Sequence, residues 1–136
     1  MTPEKGSQNT PYILIVEDDE QLRRVIGSAV EDLGFRYETA SNGRIALETL
    51  CEATSTGDIF DCILLDIVMP EVDGWQVLEA VKNNPLWNPI DVVVLTGYAN
   101  TSADVARVAK YDGVHIEKKG HFVEIVGQLL KRILNE

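Results

Sequence analysis

The sequence predicts an α/β domain: a doubly wound, five-stranded parallel sheet, (βα)5, with helices on both faces. Three observations carry that expectation. Short apolar runs of strand length alternate with longer segments of helical period. The central runs are apolar at every position, as strands covered on both faces should be. The chain has 136 residues, 45% of them hydrophobic, which is one domain with one sizeable core.

Taken in order, Tyr12–Val16 is a continuous apolar run that ends in acids. Leu22, Val25, Ile26, Ala29, Val30 and Leu33 then recur at helical spacing, and Gly34 stops the helix. Phe35–Ala40 is the second and least apolar strand. Asn42 can cap the next helix, with Ala46, Leu47, Leu50 and Cys51 facing inward. Thr54–Phe60 reads as a polar loop.

Asp61–Asp66 is the third strand. Met69-Pro70 and Asp73-Gly74 mark a turn, and Asp73 can cap a helix carrying Val77, Leu78 and Val81. The prolines of Asn83–Pro89 end that helix. Ile90–Leu95 is the fourth strand. Asn100–Lys110 is a short helix with Val105, Val108 and Ala109 inward, followed by an Asp112-Gly113 turn and the strand Val114–Glu117. Phe122, Ile125, Val126, Leu129 and Ile133 form the apolar stripe of a last helix. Residues 1–10 are polar and read as a flexible extension; 11–136 are the domain.

Composition narrows the function classes. With 22 acids against 12 bases the net charge is −10, so the chain is repelled by nucleic-acid phosphates and anionic membranes. No apolar segment reaches the length of a membrane span, and the start lacks a secretory signal. Cys51 and Cys62 form neither a CxxC pair nor a zinc spacing, and Cys62 reads as a buried free thiol. These features point to the reducing cytoplasm.

Open parallel sheets bind ligands at the carboxyl ends of their strands. Here the first strand ends on Glu17-Asp18-Asp19, the third on Asp66, the fourth on Thr96, and the fifth near Glu117-Lys118. If those strands are neighbours, the acids converge, and they must be neutralised by protons or a cation. Mg²⁺ suits such oxygen ligands. A hydroxyl at Thr96 and an ammonium at Lys118 then fit a phosphoryl group, and Asp66 can be its carboxylate acceptor. Each residue has a plainer reading. Asp18 and Asp19 suit a helix N-terminus, Asp66 and Thr96 a turn, and Lys118 a solvated surface. The joint occurrence at four strand ends is what favours a site.

The stretches ILIVEDDE at 13–20, LLDIVMPEVDGW at 64–75 and VVVLTG at 92–97, with Lys118, resemble the receiver domain of two-component response regulators. The resemblance runs from about Tyr12 to Leu134. It implies a flavodoxin-like, CheY-like fold with strand order 2-1-3-4-5. It implies Asp66 as phosphoacceptor and a Mg²⁺ site formed by Asp18, Glu17, Asp66 and the backbone carbonyl of Val68. Thr96 would report phosphorylation and Lys118 would pair with the phosphoryl group. The donor would be a histidine kinase or a histidine phosphotransfer domain, and any catalysis would be limited to self-phosphorylation and self-dephosphorylation. A downstream protein partner would read the last helix–strand–helix face, with Tyr98, Tyr111, His115 and Lys119 as candidate contacts.

The sequence departs from the family pattern in three places. Lys119 follows Lys118 where the family usually has proline, and a cis bond there would cost about 3 kcal/mol. His115 occupies the aromatic switch position, where it can pack inward or lie on the surface of an edge strand. The Thr54–Phe60 loop is somewhat longer than in typical members. A fold-retaining interaction module that is not phosphorylated is the main alternative. A Mg²⁺-dependent aspartyl phosphatase is disfavoured by Val68, where such enzymes carry a second acid. A flavin carrier is disfavoured by acids at the first strand's end. The starting Met1 and complete last helix favour a stand-alone receiver over an excised one.

Overall fold

A computed structural model describes residues 10–67, 73–96, 102–118, 127, 128 and 130–132, with the side chains of Thr96, Ser102, Glu117 and Lys118 outside that description. Five strands, β1 (Tyr12–Val16), β2 (Arg36–Ala40), β3 (Cys62–Asp66), β4 (Asp91–Thr96) and β5 (Val114–Lys118), form one parallel sheet in the order β2-β1-β3-β4-β5. Four helices alternate with them: α1 (Glu20–Asp32), α2 (Gly43–Thr56), α3 (Gly74–Lys82) and α4 (Ser102–Val108). Helical residues recur at 127, 128 and 130–132. The predicted class and strand order are both present.

Side chains alternate across a strand, so each strand feeds two cores. Leu14, Val16, Ile63, Leu65, Val92 and Val94 face α2 and α3, meeting Ala46, Leu50, Val77, Leu78 and Val81. Ile13, Ile15, Cys62, Leu64, Val93 and Leu95 face the other way, against Ile26 and Val30 of α1 and Leu130 near the carboxyl terminus. Cys62 is a buried free thiol, and burial pushes its pKa up, which keeps it unreactive.

Several sequence expectations are corrected. Thr54, Ser55 and Thr56 belong to α2, not to a loop. Their hydroxyls donate back to the carbonyls of Leu50, Glu52 and Ala53, which solvates the last turn from within. Gly57, at φ 82°, then supplies the left-handed cap that ends the helix. Val25, 49% exposed, and Cys51 point to solvent, because the buried stripes of α1 and α2 are narrower than their apolar sequence pattern. Val105 (47% exposed) and Ala109 are also outward, since α4 meets the sheet chiefly at β5 and buries Val108. Phe122, Ile125, Val126, Leu129 and Ile133 lie outside the described residues, as do residues 1–9.

The α3–β4 connection is fixed by polar contacts that periodicity does not reveal. Trp87 is buried and its Nε1 donates to Thr54 Oγ1 at 2.8 Å, joining this connection to the end of α2. Lys82 Nζ donates to the carbonyls of Asn88 and Ile90, each at 2.8 Å. At the amino end of the sheet, the Arg36 guanidinium lies 4.3 Å from the Tyr12 ring centre and pairs with Asp58 at 2.9 Å. Tyr12 in turn stacks on Phe60 with ring centres 4.3 Å apart.

Trp87→Phe keeps the ring's burial but removes the bond to Thr54. It is expected to cost about 1–2 kcal/mol, read from the urea midpoint. Burial, followed by the charges of Glu38 and Asp58, pushes the Tyr12 hydroxyl up from 10.0 to about 12. A raised folded-state pKa contributes stability that is full below the unfolded value and lost as pH rises through the folded one. Urea midpoints are therefore expected to fall between pH 10 and 12, and to fall less steeply in Tyr12→Phe.

Candidate functional site

The carboxyl ends of β1 and β3 bring two acids into the protein interior. The β1–β3 ladder pairs Val16 with Leu65, so Glu17 and Asp66 are the next residues along two adjacent strands. Glu17 is 0% exposed and Asp66 is 1% exposed; they are the buried charged residues of the described structure. Asp18 is exposed beside them. One carboxylate oxygen from each of Glu17, Asp18 and Asp66 falls within a cluster whose members all lie within 4.8 Å of one another.

The local sequence builds this cluster by dividing an acidic run between roles. Asp19 caps α1, its Oδ1 accepting from Leu22 N at 3.0 Å, so one member of the Asp18-Asp19 pair does have the plain helix-start role. The Asp19 amide also donates to Glu17 Oε2 at 3.1 Å, which orients that carboxylate. Arg23 Nη1 donates to the Glu17 carbonyl at 2.9 Å and fixes the backbone on the other side. Asp18 is then left at the mouth of the cluster.

On the β3 side the constraint is steric. Gly74 opens α3, its amide donates to the Ile67 carbonyl at 3.0 Å, and its Cα backs directly onto the end of β3. A Cβ at this position would collide with the Asp66 carbonyl oxygen and lie 2.6 Å from Ile67 Cα. Asp73 caps the same helix in a capping box with Gln76, with both bonds at 3.0 Å. The Asp73-Gly74 pair therefore sets the distance between α3 and the acid cluster. Sequence reading identified the cap but not the close approach; a glycine directly after an N-cap was the available signal. Arg23 had no comparable signal, because its bond to Glu17 depends on the angle between β1 and α1.

Thr96 and Lys118 are register partners at the ends of β4 and β5, one and two strands across the sheet from Asp66, which pairs with Leu95. The backbone thus carries both to the same edge as the acids. Val68, Tyr98 and Lys119 lie outside the described residues. His115 pairs with Val93 and is half-buried, on the face of β5 opposite Val114 and Ile116. Tyr111 packs against the first core rather than standing free.

Chemically, three carboxylates form an all-oxygen donor set with two members buried and one open to solvent. That set fits a hard divalent cation that keeps part of its water shell. The described residues contain no helix long and apolar enough to cross a membrane.

A 2-1-3-4-5 parallel sheet with acids gathered at the ends of its first and third strands defines a CheY-like signalling domain. The family model for the response regulator receiver domain matches residues 13–129, and the chain belongs to that family, of two-component signalling. It is similar to the response regulator receiver protein CpdR of Brucella abortus, with 30% identity over 123 residues, covering 90% of this chain and 96% of that protein. It is also similar to the regulatory protein AtoC of Escherichia coli, with 34% identity over 104 residues and 75% of this chain. The chain spans only 21% to 32% of the length of the first curated relatives it matches, AtoC at 21% among them. Among solved structures, the receiver domain of a signal transduction histidine kinase from Syntrophus aciditrophicus superposes with a TM-score of 0.79 at 28% identity, covering 93% of this chain and 91% of that one.

Gly74→Ala is expected to destabilise the fold by about 1–3 kcal/mol in urea unfolding, because α3 must retreat from the end of β3. The same substitution is expected to weaken divalent-cation binding, measured by calorimetry with Mg²⁺.

Proposed function

We propose that Asp66 accepts a phosphoryl group from a histidine kinase or a histidine phosphotransfer domain, and that the resulting aspartyl phosphate switches a protein-binding surface. The observation that carries this reading is the convergence of Glu17, Asp18 and Asp66 oxygens within 4.8 Å, with Glu17 and Asp66 buried. Carboxylates held that close repel one another unless protons or a cation offset them.

Glu17, Asp18, Asp66 and the carbonyl of Val68 would hold Mg²⁺. Bound there, the cation would supply positive charge to offset that on the transferred oxygens. An Asp66 oxygen attacks the phosphorus of a phosphohistidine. The new O–P bond forms as the P–N bond breaks, and its electron pair returns to the imidazole nitrogen. Gly74 and the Asp73 cap keep the end of β3 in place while this happens. Thr96 and Lys118, carried to the same sheet edge, bond and neutralise the phosphoryl oxygens.

The product adds roughly −1.5 to −2 charge at Asp66. It biases a two-state surface formed by α4, β5 and the carboxyl-terminal helix, where a protein partner binds. His115 lies on β5 within that surface. The catalytic role of the chain is confined to its own phosphorylation and dephosphorylation, and it acts in the cytoplasm alongside its donor.

Incubation with Mg²⁺ and acetyl phosphate is expected to give a single phosphoryl adduct by intact mass. The adduct is expected to vanish in Asp66→Asn and in EDTA. Wild-type protein that stays unmodified, and that gives no spectroscopic response to beryllofluoride, would instead favour a receiver fold used as an unphosphorylated interaction module.

A further inference from the structure

The contact between α3 and α4 has a role that neither the fold nor the acid cluster requires. The Arg107 guanidinium lies over the Trp75 ring, 4.1 Å from its centre. Trp75 is the residue after Gly74, so it stands in the turn of α3 that is pressed against the Asp66 carbonyl. Its ring is partly buried against the first core. Arg107 is exposed and belongs to the last turn of α4.

Among its described side chains, α4 buries only Val108, while Ala103, Val105, Ala106 and Arg107 face solvent. A helix that buries a single described side chain is lightly restrained, and the cation–π contact ties it to α3. The other end of that contact is fixed to β3, since the Gly74 amide is bonded to the Ile67 carbonyl and Gly74 lies so near the strand that an added Cβ would meet the Asp66 carbonyl. The chain Asp66–Ile67, Gly74, Trp75, Arg107 is therefore a continuous physical path from the acid cluster to α4.

We infer that Trp75 and Arg107 are positioning residues that couple the placement of α4 to occupancy of Asp66. This rests on the reading of Asp66 as phosphoacceptor. A contact whose strength differs between two positions of α4 must appear as a change in ligand affinity at Asp66, because coupling between sites is reciprocal. An exposed cation–π contact of ordinary strength corresponds to a change of about two- to five-fold.

The test is a double-mutant cycle on the full chain, reading Mg²⁺-dependent beryllofluoride affinity by calorimetry. Arg107→Gln is expected to shift the affinity about two- to five-fold. Arg107→Lys, which keeps a cation, is expected to restore most of the wild-type value. In a Trp75→Leu background, Arg107→Gln is expected to have no further effect. Arg107 is exposed, so its variants fold, and thermal midpoints measured in parallel separate a change in stability from a change in coupling. If Arg107→Gln moves only the thermal midpoint, or shifts affinity equally in both backgrounds, the coupling is refuted while the phosphoacceptor reading stands. If the wild type itself fails to bind beryllofluoride with Mg²⁺, both are refuted.

Discussion

The structure depends on the placement of two carboxylates, Glu17 and Asp66, in the interior at the ends of adjacent strands. Burying a charge is costly, and burying two of the same sign within reach of each other is more so. The surrounding contacts answer that cost in part. The Asp19 amide donates to Glu17, Arg23 holds the Glu17 backbone, and Asp18 stands at the solvent mouth. The arrangement gathers negative oxygen ligands in one place, a donor set suited to a hard divalent cation.

The rest of the fold works as a rigid frame for that cluster. β1, β3 and β4 are covered on both faces, so the strand ends move little relative to one another. Helix α3 is brought against β3 by Gly74 and aligned by the Asp73–Gln76 capping box. At its other end, Lys82 and Trp87 fasten the following connection to β4 and α2. Helix α4 contrasts with this frame: it buries one described side chain and leans on Trp75 through Arg107. A stiff site beside a lightly held helix is what a local chemical change needs to be read at a distance.

Apolar period gave the order and type of the elements, because strand and helix leave different spacings in a chain. It failed where polar groups decide the outcome. Thr54, Ser55 and Thr56 look like loop residues, yet their hydroxyls satisfy the last carbonyls of α2 and the helix runs on to Gly57. Period also over-assigned the core. Val25, Cys51 and Val105 fall on apolar stripes but face solvent, because burial is set by what a neighbouring element covers.

For the site, the sequence by itself determined which carboxylates stand at strand ends and which of them resembles the receiver phosphoacceptor. Chain order fixes residue types at the ends of apolar runs, and parallel α/β topology sends those ends to one edge. Tertiary structure decided how the acidic run divides: it gives the cap of α1 to Asp19 and keeps Asp18 in the set with Glu17 and Asp66 that the resemblance had implied. It alone revealed the wedge of Gly74 behind Asp66 and the seat of Arg107 on Trp75. The physical reason is range: capping and periodicity act over a few residues, whereas these contacts join elements whose separation is set only when the sheet and helices pack.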